Sequence, residues 1–377
     1  MLFSCEVQMP FEYPISPFMT SLNPYVPNED LEYFAARLGL AVDEVAKMDA
    51  NENPYGPAPL ACAAIAQQAA WQVYPDPEYR RLTGALAQFT GAPAEQILVG
   101  AGSSELMGLT IQALVPPGEG ILVCPPTFSM PAFNARLGGG KVYEVPRQPG
   151  AALDLNALRQ AVTDYHPRLI YLAAPDNPDG RLPTPQEIDV LLSLNTMVLL
   201  DEAYVEFTGR GFLGCDASRI AEVGQRSNLI VLRTFSKWAG LAGLRVGFGA
   251  FPAWLTPTLR SAKQPFTVNR AALAAAEATL QDLEQAEQRL RRITAERDRL
   301  FSALKNIPGL APLPSQGNFI FCRVDAPRFG RSAAQVVMDL AACGVLVRGF
   351  GGSLQNWVRI TAMRPQDSDR LLAALQA

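Results

Sequence analysis

Four short stretches of the chain hold residue types that could do chemistry. Lys237 stands in TFSKWAGLAGLRVGFG (234–249), one of five lysines among 377 residues whose other cations are mostly arginine. It follows the apolar run LIVLR and precedes a turn of small residues, with Arg245 eight positions on. An ammonium placed there is costly to desolvate, and burial lowers its pKa until the amine can attack a carbonyl. Alone, the same residue also reads as a lysine snorkelling to the surface. MVLLDEAYVEF puts Asp201 at the end of an apolar run, where open α/β sheets carry ligand-contacting groups, or where an Asp simply caps a turn. Asn177 in APDNPDG has the same setting after another apolar run, with an Asn-Pro turn as its plain alternative. In GAGSSEL (100–106), glycines allow a tight turn and the amides of Ser103 and Ser104 would open a helix towards a phosphate. The third glycine of a dinucleotide fingerprint is missing, because Glu105 holds its place, and no Gly-Lys-Ser/Thr completes a P-loop. An ordinary tight turn is the competing reading.

The elements around these positions decide between such pairs. Short β-rich runs occur at 97–99, 121–124, 141–145, 168–174, 197–201, 229–233 and 246–250, and helix-length segments such as SSELMGLTIQALV and TPQEIDVLLSLN separate most of them. Nearly continuous apolar strands alternating with helices predict an α/β fold with a mostly parallel sheet covered on both faces. Residues 1–50 read as a proline-rich N-terminal arm with a short helix in EDLEYFAARLGL, and 51–265 as the large domain. Residues 266–377 read as a smaller α/β C-terminal domain, entered by one long bridging helix over roughly 270–305. On such a sheet, a phosphate cup, an Asn, an Asp and a Lys all fall at strand ends. Together they are the parts that hold pyridoxal phosphate, with an amine for its carbonyl, a carboxylate for its pyridinium and an anchor for its phosphate.

Composition narrows the field further. With 49% hydrophobic and 18% charged residues the chain can bury a substantial core. A net charge of −4 without a basic run points away from nucleic acid and anionic membranes and towards small-molecule partners. The six cysteines are scattered with no C-x-x-C pair, which suits reduced thiols and a cytoplasmic setting. No Lys or Arg precedes Arg37, and Pro10, Pro14 and Pro17 interrupt the first apolar stretch, so neither a signal peptide nor a membrane span is expected. The single histidine, His166, has no ligand cluster beside it and reads as a surface or cap residue, which argues against a metal-histidine site and Ser-His-Asp hydrolysis.

From about Leu22 to the C-terminus the sequence resembles the histidinol-phosphate aminotransferase family, class II aminotransferases among the fold-type I pyridoxal-phosphate enzymes. The resemblance is carried by DANENPYGPAP (49–59), YPDPEYRRL (74–82), GAGSSE, PPTFSMP (125–131), APDNPDG (174–180), LLDEAYVEF (199–207), TFSKWAGLAGLRVGF, PSQGNFIF (314–321) and VRITAMRPQDSDRLLAAL (358–375). It implies that Lys237 bonds the cofactor and then carries a proton, and that Asp201 pairs with the pyridine nitrogen. Asn177 and Tyr204 would bond the phenolic oxygen and Phe128 would stack on the ring. Ser103, Ser104, Thr234, Ser236 and Arg245 would hold the phosphate, joined by Tyr55 from the neighbouring subunit, which implies a homodimer with shared active sites. Arg359 would grip the substrate anion, with Tyr25, Asn318 and Arg348 as further substrate contacts. The implied reaction passes an amino group between glutamate and imidazole-acetol phosphate. Aromatic-amino-acid transaminases and threonine-phosphate decarboxylases share most of these motifs, and a binding or regulatory protein that kept the fold without catalysis is the alternative of another class. A nicotinamide oxidoreductase is disfavoured by the incomplete glycine fingerprint. Three features depart from the family pattern: Asp176 and Asp179 in place of an Asn-Asn-Pro-Thr-Gly type sequence, the bulky Trp238 after the lysine, and RGFGGSLQNWVRIT before Arg359.

Overall fold

The computed structural model describes residues 17–20 and 29–376, which places Tyr25 outside the described residues. In chain order its strands are β1 (Ala46–Met48), β2 (Ile97–Gly100), β3 (Gly120–Val123), β4 (Lys141–Glu144), β5 (Leu169–Ala173), β6 (Met197–Asp201), β7 (Leu229–Thr234), β8 (Gly247–Ala250), β9 (Leu310–Pro312), β10 (Phe319–Val324), β11 (Val345–Gly349) and β12 (Trp357–Thr361). Seven of them form one sheet in the order β2-β8-β7-β6-β5-β3-β4. β8 runs antiparallel to both of its neighbours, and the remaining pairs are parallel.

The apolar runs have a direct structural cause. Successive residues of each central strand feed alternate layers, as the two-residue strand period requires. Ile170, Leu172, Val198, Leu200, Leu229 and Val231 pack into one core, while Leu169, Tyr171, Leu199, Ile230 and Leu232 pack into another on the opposite face. With helices covering both faces, no position in these strands can be polar without a partner, so the sequence reads as unbroken hydrophobicity. Polarity returns where the strands end. The register pairs Ala173 with Asp201 and Asp201 with Leu232, while Gly100 and Thr234 both pair with Gly247, so these ends lie along one edge. That edge is where open α/β sheets present ligand sites.

The second sheet has the order β1-β11-β12-β10-β9, with β1 parallel to β11 and the other pairs antiparallel. Its core joins Ile320, Cys322, Val345, Val347, Val358 and Ile360 to Leu340, Leu371 and Leu300 from flanking helices. Two expectations are refined here. Within the segment read as an arm, β1 and the helix Leu31–Leu38 are built onto the small sheet, the helix packing Phe34 and Ala35 against Val45 and Leu346. The single long helix over 270–305 is two helices, Arg270–Gln281 and Leu283–Lys305. They are separated by Asp282 at φ −133°, ψ 55°, a residue type whose side chain favours helix ends over interiors.

Candidate active site

The carboxyl ends of β5, β6 and β7 open into a cavity of about 1460 Å³ that also receives the small sheet's β11 and β12. Lys237 lies three residues beyond β7, half-buried, with Nζ donating to the carbonyl of Ala50 at 2.9 Å. Burial pulls its amine down to about 8, helped by the cations of Arg359 and Arg245 and opposed by Glu52. A lysine so placed is an amine for an appreciable fraction of the time at neutral pH.

Asp201 ends β6, and its two oxygens are held from opposite sides. Oδ2 accepts from the Tyr171 hydroxyl at 3.0 Å and Oδ1 from the amide of Ala203 at 3.1 Å. Burial pushes the carboxyl up to about 6, and those two hydrogen bonds restrain the rise. A buried carboxylate so raised gains from a cationic partner, which a protonated pyridine nitrogen is.

The turn expected to hold a phosphate is built on glycine. The helix Ser103–Leu114 starts after Gly102, at φ 74° and with no side chain capping its first amides. A Cβ on Gly102 would lie 2.7 Å from Nη2 of Arg245, so only glycine lets that guanidinium lie over the helix start. A Cβ on Gly247 would lie 2.4 Å from the amide nitrogen of Ser103, so β8 can pass this close only as glycine. Thr234 Oγ1 donates to Ser236 Oγ at 2.9 Å, and Arg245 Nη1 reaches the same Ser236 oxygen at 3.4 Å. Glu105, at the position of the missing third glycine, accepts from the amide of Ala101 at 2.5 Å and closes the turn. Hydroxyls, a guanidinium and an uncapped helix start around a glycine cradle fit a phosphate dianion. With the desolvated Lys237 and the buried Asp201, the donor set suits pyridoxal phosphate.

Arg348 and Arg359 pair directly across β11 and β12 and line the cavity. Arg359 donates to Asn177 Oδ1 at 2.7 Å and to the carbonyl of Asp49 at 2.6 Å. Phe128 and Tyr204 line the same cavity, so the site residues expected from β5, β6, β7 and β12 converge. Three do not. Tyr25 is outside the described residues; Tyr55 is half-buried away from the cavity, beneath the guanidinium of Arg292 at 5.9 Å. Asn318 is fully buried behind the wall, donating through Nδ2 to the carbonyl of Asn51 at 3.0 Å, so in this structure it braces the site without facing substrate. Trp238 is 1% exposed and stacks among Phe235 and Phe89, which makes it core packing beneath the turn.

A family model described as aminotransferase class I and II matches residues 43–375. The chain belongs to that family. A histidinol-phosphate aminotransferase of Roseiflexus castenholzii is 42% identical over 96% of this chain and 97% of its own length. A chloroplastic histidinol-phosphate aminotransferase of Nicotiana tabacum is 41% identical over 96% of this chain and 86% of its own. The solved histidinol-phosphate aminotransferase of Sinorhizobium meliloti, in complex with pyridoxal-5'-phosphate, is similar with a TM-score of 0.84 at 31% identity, covering 96% of each chain. The α/β architecture expected from the sequence is therefore the observed one.

Two residues of this aminotransferase site carried signals that went unread. Tyr171 is the one hydroxyl in the otherwise aliphatic run LIYLA, and it lands on Asp201. Asn51, in the motif DANENPYGP, sits at φ 54° and donates to the Tyr204 hydroxyl at 3.0 Å, while its amide and side-chain oxygen both bond Thr361 Oγ1 at 3.0 Å. It ties the large sheet's site to the small sheet.

Proposed function

We propose that the chain is a pyridoxal-phosphate-dependent histidinol-phosphate aminotransferase, exchanging an amino group between glutamate and imidazole-acetol phosphate. The observation that carries the substrate reading is the cross-strand pair Arg348 and Arg359 on the wall of the cavity onto which Lys237 opens. Like charges directly opposite in a sheet repel, so the pair favours an anion between or beside them. A guanidinium fork accepts a carboxylate or a phosphate equally well, as one site serving glutamate and a phosphorylated partner requires.

Ser103, Ser104, Thr234, Ser236 and Arg245 would hold the cofactor phosphate, Asp201 its ring nitrogen, Asn177 and Tyr204 its phenolic oxygen, and Phe128 would pack on the ring, all of them lining one cavity. When bound, the cofactor supplies a carbonyl that combines with amines and a protonated ring that draws electron density from the substrate carbon. Nζ of Lys237, its pKa drawn down to about 8 by burial, would take the proton from the substrate Cα and release it to the carbon of the cofactor that receives the amino group, while Arg359 would keep the substrate Cα in reach. Tyr55 is outside its own chain's cavity, and exposed Trp71, Val73 and Tyr74 follow it in sequence, which supports a homodimer in which Tyr55 serves the partner's site. A cytoplasmic setting is supported by the described cysteines being free and by the lack, among the described residues, of a helix long and apolar enough to cross a membrane.

The test is a panel of half-reactions followed by the cofactor's visible absorption. Histidinol phosphate and glutamate should each discharge the band. A faster response to phenylalanine would indicate an aromatic transaminase, and carbon dioxide release from threonine phosphate a decarboxylase. No response to any amine would indicate a protein that binds without catalysis.

A further inference from the structure

Arg147 follows β4, and its side chain is only 3% exposed, yet it faces two carboxylates. Nη1 donates to Asp179 Oδ2 at 2.5 Å and Nη2 to Asp176 Oδ2 at 2.5 Å, with a further bond from Nη2 to the carbonyl of Pro126 at 3.2 Å. Each carboxylate passes the restraint on to backbone. Asp176 Oδ1 accepts from the Thr127 hydroxyl at 2.7 Å and from the amide of Asn177 at 2.8 Å. Asp179 accepts from the amides of Gly150 at 2.7 Å and Arg181 at 3.1 Å. One guanidinium therefore joins the loop that leads to Phe128, the loop that carries Asn177, and its own loop. The chain of contacts continues, because Asn177 Oδ1 accepts from Arg359.

Two buried carboxylates against one cation are an expensive way to fill space, and apolar packing usually does as well or better. Burial and the neighbouring Asp179 push the Asp176 carboxyl up to about 7, with Arg147 pulling the other way. What the charged group supplies beyond packing is direction. A planar fork bonded to two acceptors fixes the angle between the loops that carry them, which an apolar contact does not.

We infer that Arg147 is a positioning residue for the reaction: through Asp176 and Asp179 it sets the placement of Asn177 and Phe128, and through Asn177 that of Arg359. This rests on the reading above that Asn177 faces the cofactor and Arg359 the substrate. Asp176 and Asp179, which depart from the family pattern, are the two halves of this clamp.

The experiment compares Arg147→Lys, Asp176→Asn and Asn177→Ala with the parent as cofactor-loaded proteins. Melting temperature, cofactor dissociation constant, the pH midpoint of the visible band, and KM and kcat for glutamate are measured for each. Lysine keeps the charge and loses the fork; asparagine keeps the shape and loses one charge, so a folded protein is available even where one variant is unstable. Both clamp variants are expected to weaken cofactor binding by about tenfold, the scale of one lost charge-assisted hydrogen bond. They should also move the midpoint in the same direction as Asn177→Ala and raise KM more than they lower kcat. If Asn177→Ala moves the midpoint while the clamp variants change only the melting temperature, Arg147 is a purely structural residue and the inference fails. If Asn177→Ala also leaves the band unmoved, the assignment of Asn177 fails and the inference with it.

Discussion

Lys237 and Asp201 are both shifted by burial in the direction that disfavours their charged forms, which costs the fold stability. The lysine's folded pKa of about 8 lies below its ordinary 10.5, so the folded protein binds fewer protons than the unfolded chain between those values. Its charged form is disfavoured below pH 8, and that penalty is relieved as pH rises towards 10.5. Lys237→Met in the cofactor-free protein should therefore raise the urea midpoint at pH 7, by an amount that shrinks as pH climbs through this window. An advantage that stays constant with pH would mean the ammonium is solvated. With cofactor and both substrates, Lys237→Ala should lose transamination by at least about a thousandfold, since it removes both the bonding amine and the proton carrier. Full activity in that variant would refute its assigned role. Tyr171→Phe removes the donor to Asp201 Oδ2 and should lift the carboxyl above its value of about 6, weakening the cofactor by about tenfold without unfolding the protein. At this scale the sequence was legible in placing Lys237 and Asp201 at strand ends, where the structure brings them to one cavity with Arg359. It was not legible for Trp238 or Asn318, because whether a side chain lines a cavity or stands behind its wall depends on neighbours hundreds of positions away, such as Asn51 for Asn318.

Among the elements, the glycine turn before the helix Ser103–Leu114 sets how closely Arg245 and β8 approach the helix start. Gly102→Ala would impose a left-handed alanine at φ 74° and push its methyl to 2.7 Å from Arg245 Nη2, a flexible group that can yield. The expected result is a folded protein with about tenfold weaker cofactor binding, read by equilibrium dialysis. Gly247→Ala differs in kind, because its methyl would meet the backbone of Ser103 at 2.4 Å and Gly102 at 2.7 Å. There the loss should be in stability, by about 1–3 kcal/mol in a denaturant titration. The strands of the large sheet were readable because burial on both faces forces continuous apolar runs. β1 was not, since a three-residue edge strand with Lys47 at its centre shows neither a run nor an alternation. The break at Asp282 was hidden by helix-favouring sequence on both sides, and the Arg147 clamp by separations of 29 and 32 residues between its charged partners.

The whole molecule brings two sheets to one cavity, and the proposed dimer adds a residue from a second copy. If Tyr55 serves the partner's site, mixing inactive Lys237→Ala with Tyr55→Ala protein should restore activity through subunit exchange. Each mixed dimer then has one site intact, so about a quarter of all sites recover at equal mixing. No recovery, with exchange verified by mass, would place Tyr55 in its own chain's chemistry or in none. The large-domain core, the strand-end edge and the cofactor class followed from pattern alone, whereas the joining of the two sheets through Asn51 and Thr361 did not, since it spans 310 positions of sequence. The most direct test of the central claim uses this geometry, because two of the chain's five lysines, Lys47 and Lys237, line the cavity. Borohydride fixation of the bound cofactor followed by peptide mass analysis reports which amine carries it. The expected result is a single modified peptide, labelled at Lys237; label at Lys47, or no fixed cofactor at all, would contradict the assignment on which the mechanism stands.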